Sequence, residues 1–80
     1  MNMRAKMQIQ SVTPQGDAEK LTFICVSGNK PYGPQGEIDD NTFARYTPSG
    51  TLEMTINNPV LVGKFKSGQK FYLDFSEAPE

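Results

Sequence analysis

The segment Thr47–Phe75, TPSGTLEMTINNPVLVGKFKSGQKFYLDF, contains the clearest periodicity in the chain. Apolar side chains occupy every second position at its two ends: Leu52, Met54 and Ile56, and then Phe71, Leu73 and Phe75. A period of two is typical of a β-strand that buries one face and exposes the other to water. The segment therefore predicts two strands, each with one apolar face.

A short helical turn is predicted between these two strands, near residues 58–66. Asn58-Pro59 combines a capping side chain with a proline at the first helical position. Leu61 and Phe65 are four residues apart and would share one side of the turn. Gly68 follows and can adopt the positive φ that ends such a turn.

The first half of the chain predicts two more strands. Arg4–Val12 alternates apolar and polar residues, and Thr13–Asp17 has the proline and glycine of a reverse turn. In Lys20–Val26 the alternation is lost, because Ile24 and Val26 lie on the face opposite Leu21, Phe23 and Cys25. A strand that is apolar on both faces is either central in the sheet or covered by a neighbour, such as another subunit.

Residues 27–41 are rich in glycine, proline and acidic residues, which predicts a long loop. Thr42–Tyr46 is predicted as a fifth strand that would turn Phe43 inward. The fold class predicted is all-β, mainly antiparallel: a small five-stranded barrel or sandwich with one helical turn. The 80 residues form one domain, with frayed ends at 1–3 and 77–80.

Composition limits how such a domain can be stabilised. Only 36% of the residues are hydrophobic, histidine and tryptophan are absent, and Cys25 is the single cysteine. An internal disulfide is excluded, and a structural zinc site lacks its usual ligands. A small domain with so few apolar residues commonly gains stability by oligomerisation, so we expect self-association.

The net charge of −1 gives no general attraction to nucleic acid or membranes. No apolar run is long enough to span a bilayer, and the residues after Arg4 and Lys6 do not form a signal peptide. A free cysteine without an export signal is typical of a reducing compartment, so we expect a cytosolic protein with no membrane partner.

The second half of the chain also resembles a family of short proteins encoded by tailed bacteriophages. The motifs that carry the resemblance are Phe43, Thr47–Gly50, Asn58-Pro59, Phe65–Gly68 and Tyr72–Phe75. They are mainly turn and core residues, and the family has no assigned activity. The resemblance implies a viral protein located in the host cytoplasm or in the virion.

Catalysis is not expected, and no catalytic residue, metal site or cofactor is predicted. Cys25 lies in the most apolar strand, which disfavours a reactive thiolate. Glu37, Asp39 and Asp40 form the one acidic cluster, but their spacing is not that of a calcium loop. We expect this cluster to be a solvated part of the long loop.

Six side chains are candidates for binding: Tyr32, Arg45, Tyr46, Lys64, Lys66 and Tyr72. The first interpretation is a homo-oligomeric interaction protein that binds a virion component or a host factor. A second is capture of a nucleotide second messenger between subunits, with Arg45 on a phosphate and Tyr32 or Tyr46 stacked on the base. A third is single-stranded nucleic-acid binding by an OB-like barrel, through aromatic stacking and lysine charge.

Overall fold

The protein folds as one open antiparallel sheet of four strands, in the order β3-β2-β1-β4. The computed structural model describes residues 3–28 and 31–79. The strands are β1 (Met3–Gln15), β2 (Ala18–Cys25), β3 (Thr51–Ile56) and β4 (Lys70–Phe75). The predicted all-β class and the four main strands are confirmed. Met3 begins β1, and the rest of the predicted frayed amino end lies outside the described residues.

The strand registers place one apolar set of side chains on a single face of the sheet, which we call the apolar face. The pairs Ile9–Phe23, Phe23–Leu52 and Met7–Phe71 fix how the four strands align. Its members are Met3, Ala5, Met7, Ile9, Val12, Leu21, Phe23, Cys25, Leu52, Met54, Ile56, Phe71, Leu73 and Phe75. The buried core is small and lies at its centre, in β1 and β2: Ala5, Met7, Ile9, Leu21 and Phe23.

A β-bulge in β1 keeps Val12 on the apolar face. The register between β1 and β2 shifts between Ile9 and Ser11, so Gln10 is an extra residue. Strict alternation from Ile9 would direct Val12 to the opposite face. The bulge reverses this, and Val12 packs against the core.

β2 is a central strand, which explains why its sequence is apolar on both faces. It pairs with β1 on one side and with β3 on the other. Ile24 and Val26, on the face opposite the core, are half-buried. One of the two explanations left open by the sequence is thereby confirmed.

The side chain of Asn41 fixes the loop between β2 and β3 to the sheet. Its Oδ1 accepts a hydrogen bond of 2.8 Å from the backbone N–H of Lys6, and its Nδ2 donates one of 2.9 Å to the carbonyl of Val26. The carbonyl of Lys6 also accepts a hydrogen bond from the N–H of Val26. The Asn41 side chain therefore takes the place of the second backbone hydrogen bond between β1 and the residue that follows β2. Asn41 is fully buried.

The predicted fifth strand over 42–46 is not formed. In this segment Arg45 makes one isolated bridge with Glu37, and the residue after it, Tyr46, has a φ of 57°. A positive φ is incompatible with an extended strand. Phe43 is partly exposed at the edge of the apolar face rather than buried in a core.

The predicted helical turn near 58–66 is also absent as a helix. The carbonyl of Asn58 accepts from the N–H groups of Leu61 and Val62, which closes isolated turns. Gly63 then has a φ of 86°, and this left-handed residue prevents a second helical turn. Gly68 does have the predicted positive φ, of 95°.

Barrel or sandwich closure within the chain is not seen either. β3 and β4 lie at opposite edges of the sheet, and no pairing joins them. Four strands are also fewer than the roughly eight that enclose a filled barrel. Within residues 3–28 and 31–79, no helix is long and apolar enough to cross a bilayer.

Candidate binding surfaces

The apolar face of the sheet is only partly covered by its own chain. Phe65, in the segment between β3 and β4, packs on the core at one end, and its ring centroid lies 5.8 Å from that of Phe71. Phe43 lies at the other end, beside Cys25 and Phe75. The side chains at the centre of the face are buried, but several nearer its edges remain in contact with solvent.

Three large side chains of this face are strongly exposed: Met54 by 46%, Phe71 by 40% and Phe75 by 45%. Two open depressions of about 200 and 190 Å³ run along the face, and both include Met7 and Leu73 in their walls. Isolated exposed apolar residues are common in proteins, but a continuous apolar sheet face is typical of an interaction surface.

Two of the predicted tyrosines meet in the loop. The rings of Tyr32 and Tyr46 make an edge-to-face contact with centroids 5.9 Å apart. Gly36 lies under the Tyr46 ring, where a side chain would collide, and its carbonyl accepts from the N–H of Tyr46 at 2.6 Å. Because the rings contact each other directly, a base could stack only on their outer sides.

Arg45 lies next to this tyrosine pair. Its Nε donates to the carbonyl of Gln35 at 2.5 Å, and its backbone forms the bridge with Glu37. The carboxylate of Glu37 accepts from the N–H of Gln35 at 2.8 Å. The loop is thus held by its own hydrogen bonds, and it brings Tyr32, Arg45 and Tyr46 together as one exposed cluster.

Tyr72 lies elsewhere, on the face of the sheet opposite the apolar one. Its hydroxyl donates to Asp40 at 2.7 Å, and the Arg4 guanidinium lies 4.2 Å from its ring centre. Arg4 in turn pairs with Asp74 through two bonds of 2.6 and 3.2 Å, and Lys6 lies 3.3 Å from Asp40. These contacts join β1, β4 and the loop.

The charges of this polar cluster explain two shifted pKa values. The hydrogen bond from its hydroxyl to the Asp40 carboxylate raises the pKa of Tyr72, with desolvation adding to the effect. The bond to Asp74 raises the pKa of Arg4, which keeps the guanidinium charged. Because each charge already has a partner of opposite sign, the cluster is suited to holding the loop on the sheet.

Lys64 and Lys66 belong to the segment between β3 and β4. Both are exposed, and their backbone N–H groups close turns on the Leu61 carbonyl and the Gln69 side chain. Of the six predicted binding residues, the structure therefore unites Tyr32, Arg45 and Tyr46 and leaves the others on separate segments.

Cys25 lies on the apolar face and is half-buried. Desolvation raises the pKa of its thiol, so the reactive thiolate is rarer at neutral pH than for a free cysteine. Within the described part of the chain, acidic and cysteine side chains form no group of three that could hold a metal ion.

Met54, Phe71 and Phe75 are not among the binding residues that the sequence predicts. Their alternation predicts strands, and the predicted closed barrel would bury them. The signal that was available is the low share of apolar residues, which indicated that one chain alone cannot cover its core.

Comparison with known proteins gives no relative to support a function: no family model, curated protein or solved structure matches this chain. The predicted membership in a phage family accordingly stays a prediction.

Proposed function

We propose that this protein is a non-enzymatic binding protein that docks the apolar face of its sheet on another protein surface. The observation that carries the proposal is the exposure of Met54, Phe71 and Phe75 on one continuous face. Methionine and aromatic residues are enriched at the centres of protein interfaces. A sheet must also bury its apolar face against a second layer, and within residues 3–28 and 31–79 only Phe65 and Phe43 cover part of it.

The protein partner is another copy of the chain, a virion component or a host factor. Docking by another copy would complete the predicted sandwich between subunits instead of within one chain. The proposed location of the protein, in the host cytoplasm or the virion, follows only from the phage resemblance.

Photo-crosslinking in the producing cells tests the proposal. The photoreactive residue p-benzoylphenylalanine replaces Met54 on the apolar face in one variant. It replaces Thr55, the next residue of the same strand on the opposite face, or Val60, an exposed apolar turn residue, in two controls. We expect one strong crosslinked product from position 54 and little from the controls. Equal or absent crosslinking at all three positions would overturn the proposal.

A nucleotide ligand is a second candidate, and the union of Tyr32, Arg45 and Tyr46 in one exposed cluster favours it. Thermal denaturation with a panel of cyclic nucleotides is the test, because a bound ligand raises the melting temperature. We expect a shift that disappears in Arg45→Ala. No shift with any nucleotide at millimolar concentration argues against this candidate.

Single-stranded nucleic-acid binding has less support from the geometry. Tyr72, one of its stacking candidates, lies beside the carboxylates of Asp40 and Asp74, which repel phosphate. Lys64 and Lys66 are on a different segment.

A further inference from the structure

We infer that the occupant of the apolar face is a second copy of this chain, with the two sheets packed face to face as a two-layer β-sandwich. The inference rests on the proposed function and names its partner.

The shape of the chain is that of half a sandwich. Its principal extents are 47 × 33 × 16 Å, so it is a single layer. Its radius of gyration of 14.5 Å exceeds the value of about 12 Å that is typical of a compact chain of this length. In sandwiches, two sheets lie about 10 Å apart and interdigitate their inner side chains. A second sheet on the apolar face would supply the missing layer.

The surface that the chain exposes in excess of a compact monomer is close to the area that each partner buries in a stable dimer. The chain has an accessible surface of 5933 Å². A compact monomer of 8.9 kDa is expected to expose about 4,800 Å². The excess of about 1,100 Å² is comparable with the roughly 800 Å² that each partner buries in an interface of standard size. One additional interface per chain would account for most of this excess.

The chemistry of the face favours an identical partner. Glu19, which pairs with Ile56, also lies on this side of the sheet, but at its end, where its carboxylate accepts a hydrogen bond from the N–H of Gly63. The fourteen members of the face defined above are all apolar. Such a surface is complementary to itself, as a twofold interface requires. The chain carries a net charge of only −1, so two copies repel each other weakly.

Sedimentation equilibrium of the purified protein, over a wide range of concentrations, tests the inference. The wild type is expected to have a mass twice the 8.9 kDa of the chain. In Met54→Glu, both copies would bring a carboxylate into the apolar interface, which should weaken dimerisation at least about a hundredfold. Met54→Gln adds a polar group of similar size without charge and should weaken it about tenfold.

Thr55→Glu is the matched control. It adds the same charge to the same strand, but on the opposite face, so dimerisation should stay within about twofold of wild type. Circular dichroism verifies that each variant is folded, and Met54→Gln decides the question if Met54→Glu does not fold.

Three results would overturn the inference. One is a wild type that stays monomeric at every concentration. Another is a dimer that neither Met54 substitution weakens. The third is a dimer that Thr55→Glu weakens as much as Met54→Glu does, which is the result expected if the copies paired through the edge of β3. A monomer that still crosslinks from position 54 to a protein of another mass would leave the proposed function standing. A monomer with no specific crosslink would remove both.

Discussion

Replacing Asn41 with alanine is expected to destabilise the fold far more than the loss of one surface amide. The side chain is fully buried and bonds to the backbone of two different segments, at Lys6 and Val26. In Asn41→Ala, the N–H of Lys6 and the carbonyl of Val26 both lose their partner. One of the links that hold the loop on the sheet is lost with them.

The size of the loss in stability follows from the two backbone groups that are left without a hydrogen-bond partner. An unsatisfied buried donor or acceptor costs about 1–3 kcal/mol. Both groups here are only partly shielded from water, so we use the lower part of that range. The free energy of unfolding should fall by about 2–3 kcal/mol, out of the roughly 4–12 kcal/mol that is typical for a chain of this length.

The assay is urea denaturation followed by far-ultraviolet circular dichroism, with all variants at one protein concentration so that self-association contributes equally. Asn58→Ala is the matched control, because Asn58 is exposed and its Oδ1 accepts a single local bond from Val60 at 3.0 Å. It should cost about 0.5–1 kcal/mol. If Asn41→Ala costs no more than Asn58→Ala, with an unchanged denaturant dependence, the bridging role of Asn41 is wrong.

Three further predictions concern separate parts of the molecule. Asp40→Asn should lower the pKa of Tyr72 towards its ordinary value of 10.0, as measured by tyrosinate absorbance in comparison with Tyr72→Phe. Gly36→Ala should cost about 2 kcal/mol in urea denaturation, because the added methyl group meets an aromatic ring at 2.5 Å. Alkylation of Cys25 by iodoacetamide should slow as protein concentration rises, because dimerisation would cover the apolar face.

Each of these three has a control or an outcome that would contradict it. For the first, the raised pKa means that the Tyr72 hydroxyl stabilises the fold below pH 10 and that this contribution is lost as pH rises through the folded-state value. An unchanged titration in Asp40→Asn would contradict the hydrogen bond. For the second, Gly63→Ala shares the positive φ but has open space, so it should cost less than Gly36→Ala. For the third, the alkylation rate in Met54→Glu should not depend on concentration.

The sequence predicted the four strands because period-two alternation is a local property that each segment carries by itself. It also predicted that β2 is apolar on both faces, and the central position of β2 explains this pattern. Closure could not be predicted in this way, because it depends on where β3 and β4 lie relative to each other.

The loop between β2 and β3, which carries part of the candidate site, also depends on contacts between distant residues that local sequence patterns do not reveal. A segment such as Thr42–Tyr46 alternates weakly, and Asn41, the residue before it, uses its side chain to bridge β1 and the end of β2. That role depends on the distant backbone of Lys6, so nothing local in the sequence signals it. The contact between Tyr32 and Tyr46 likewise depends on the path of the loop.

An isotope-filtered NMR measurement tests the central claim most directly. A sample mixes copies with ¹³C-labelled methionine methyl groups and unlabelled copies, and only contacts between different copies are detected. The account predicts contacts from the Met54 methyl group to aromatic rings on the apolar face of the other copy. Absence of such contacts in a concentrated sample, or contacts only to residues of the opposite face, would contradict it.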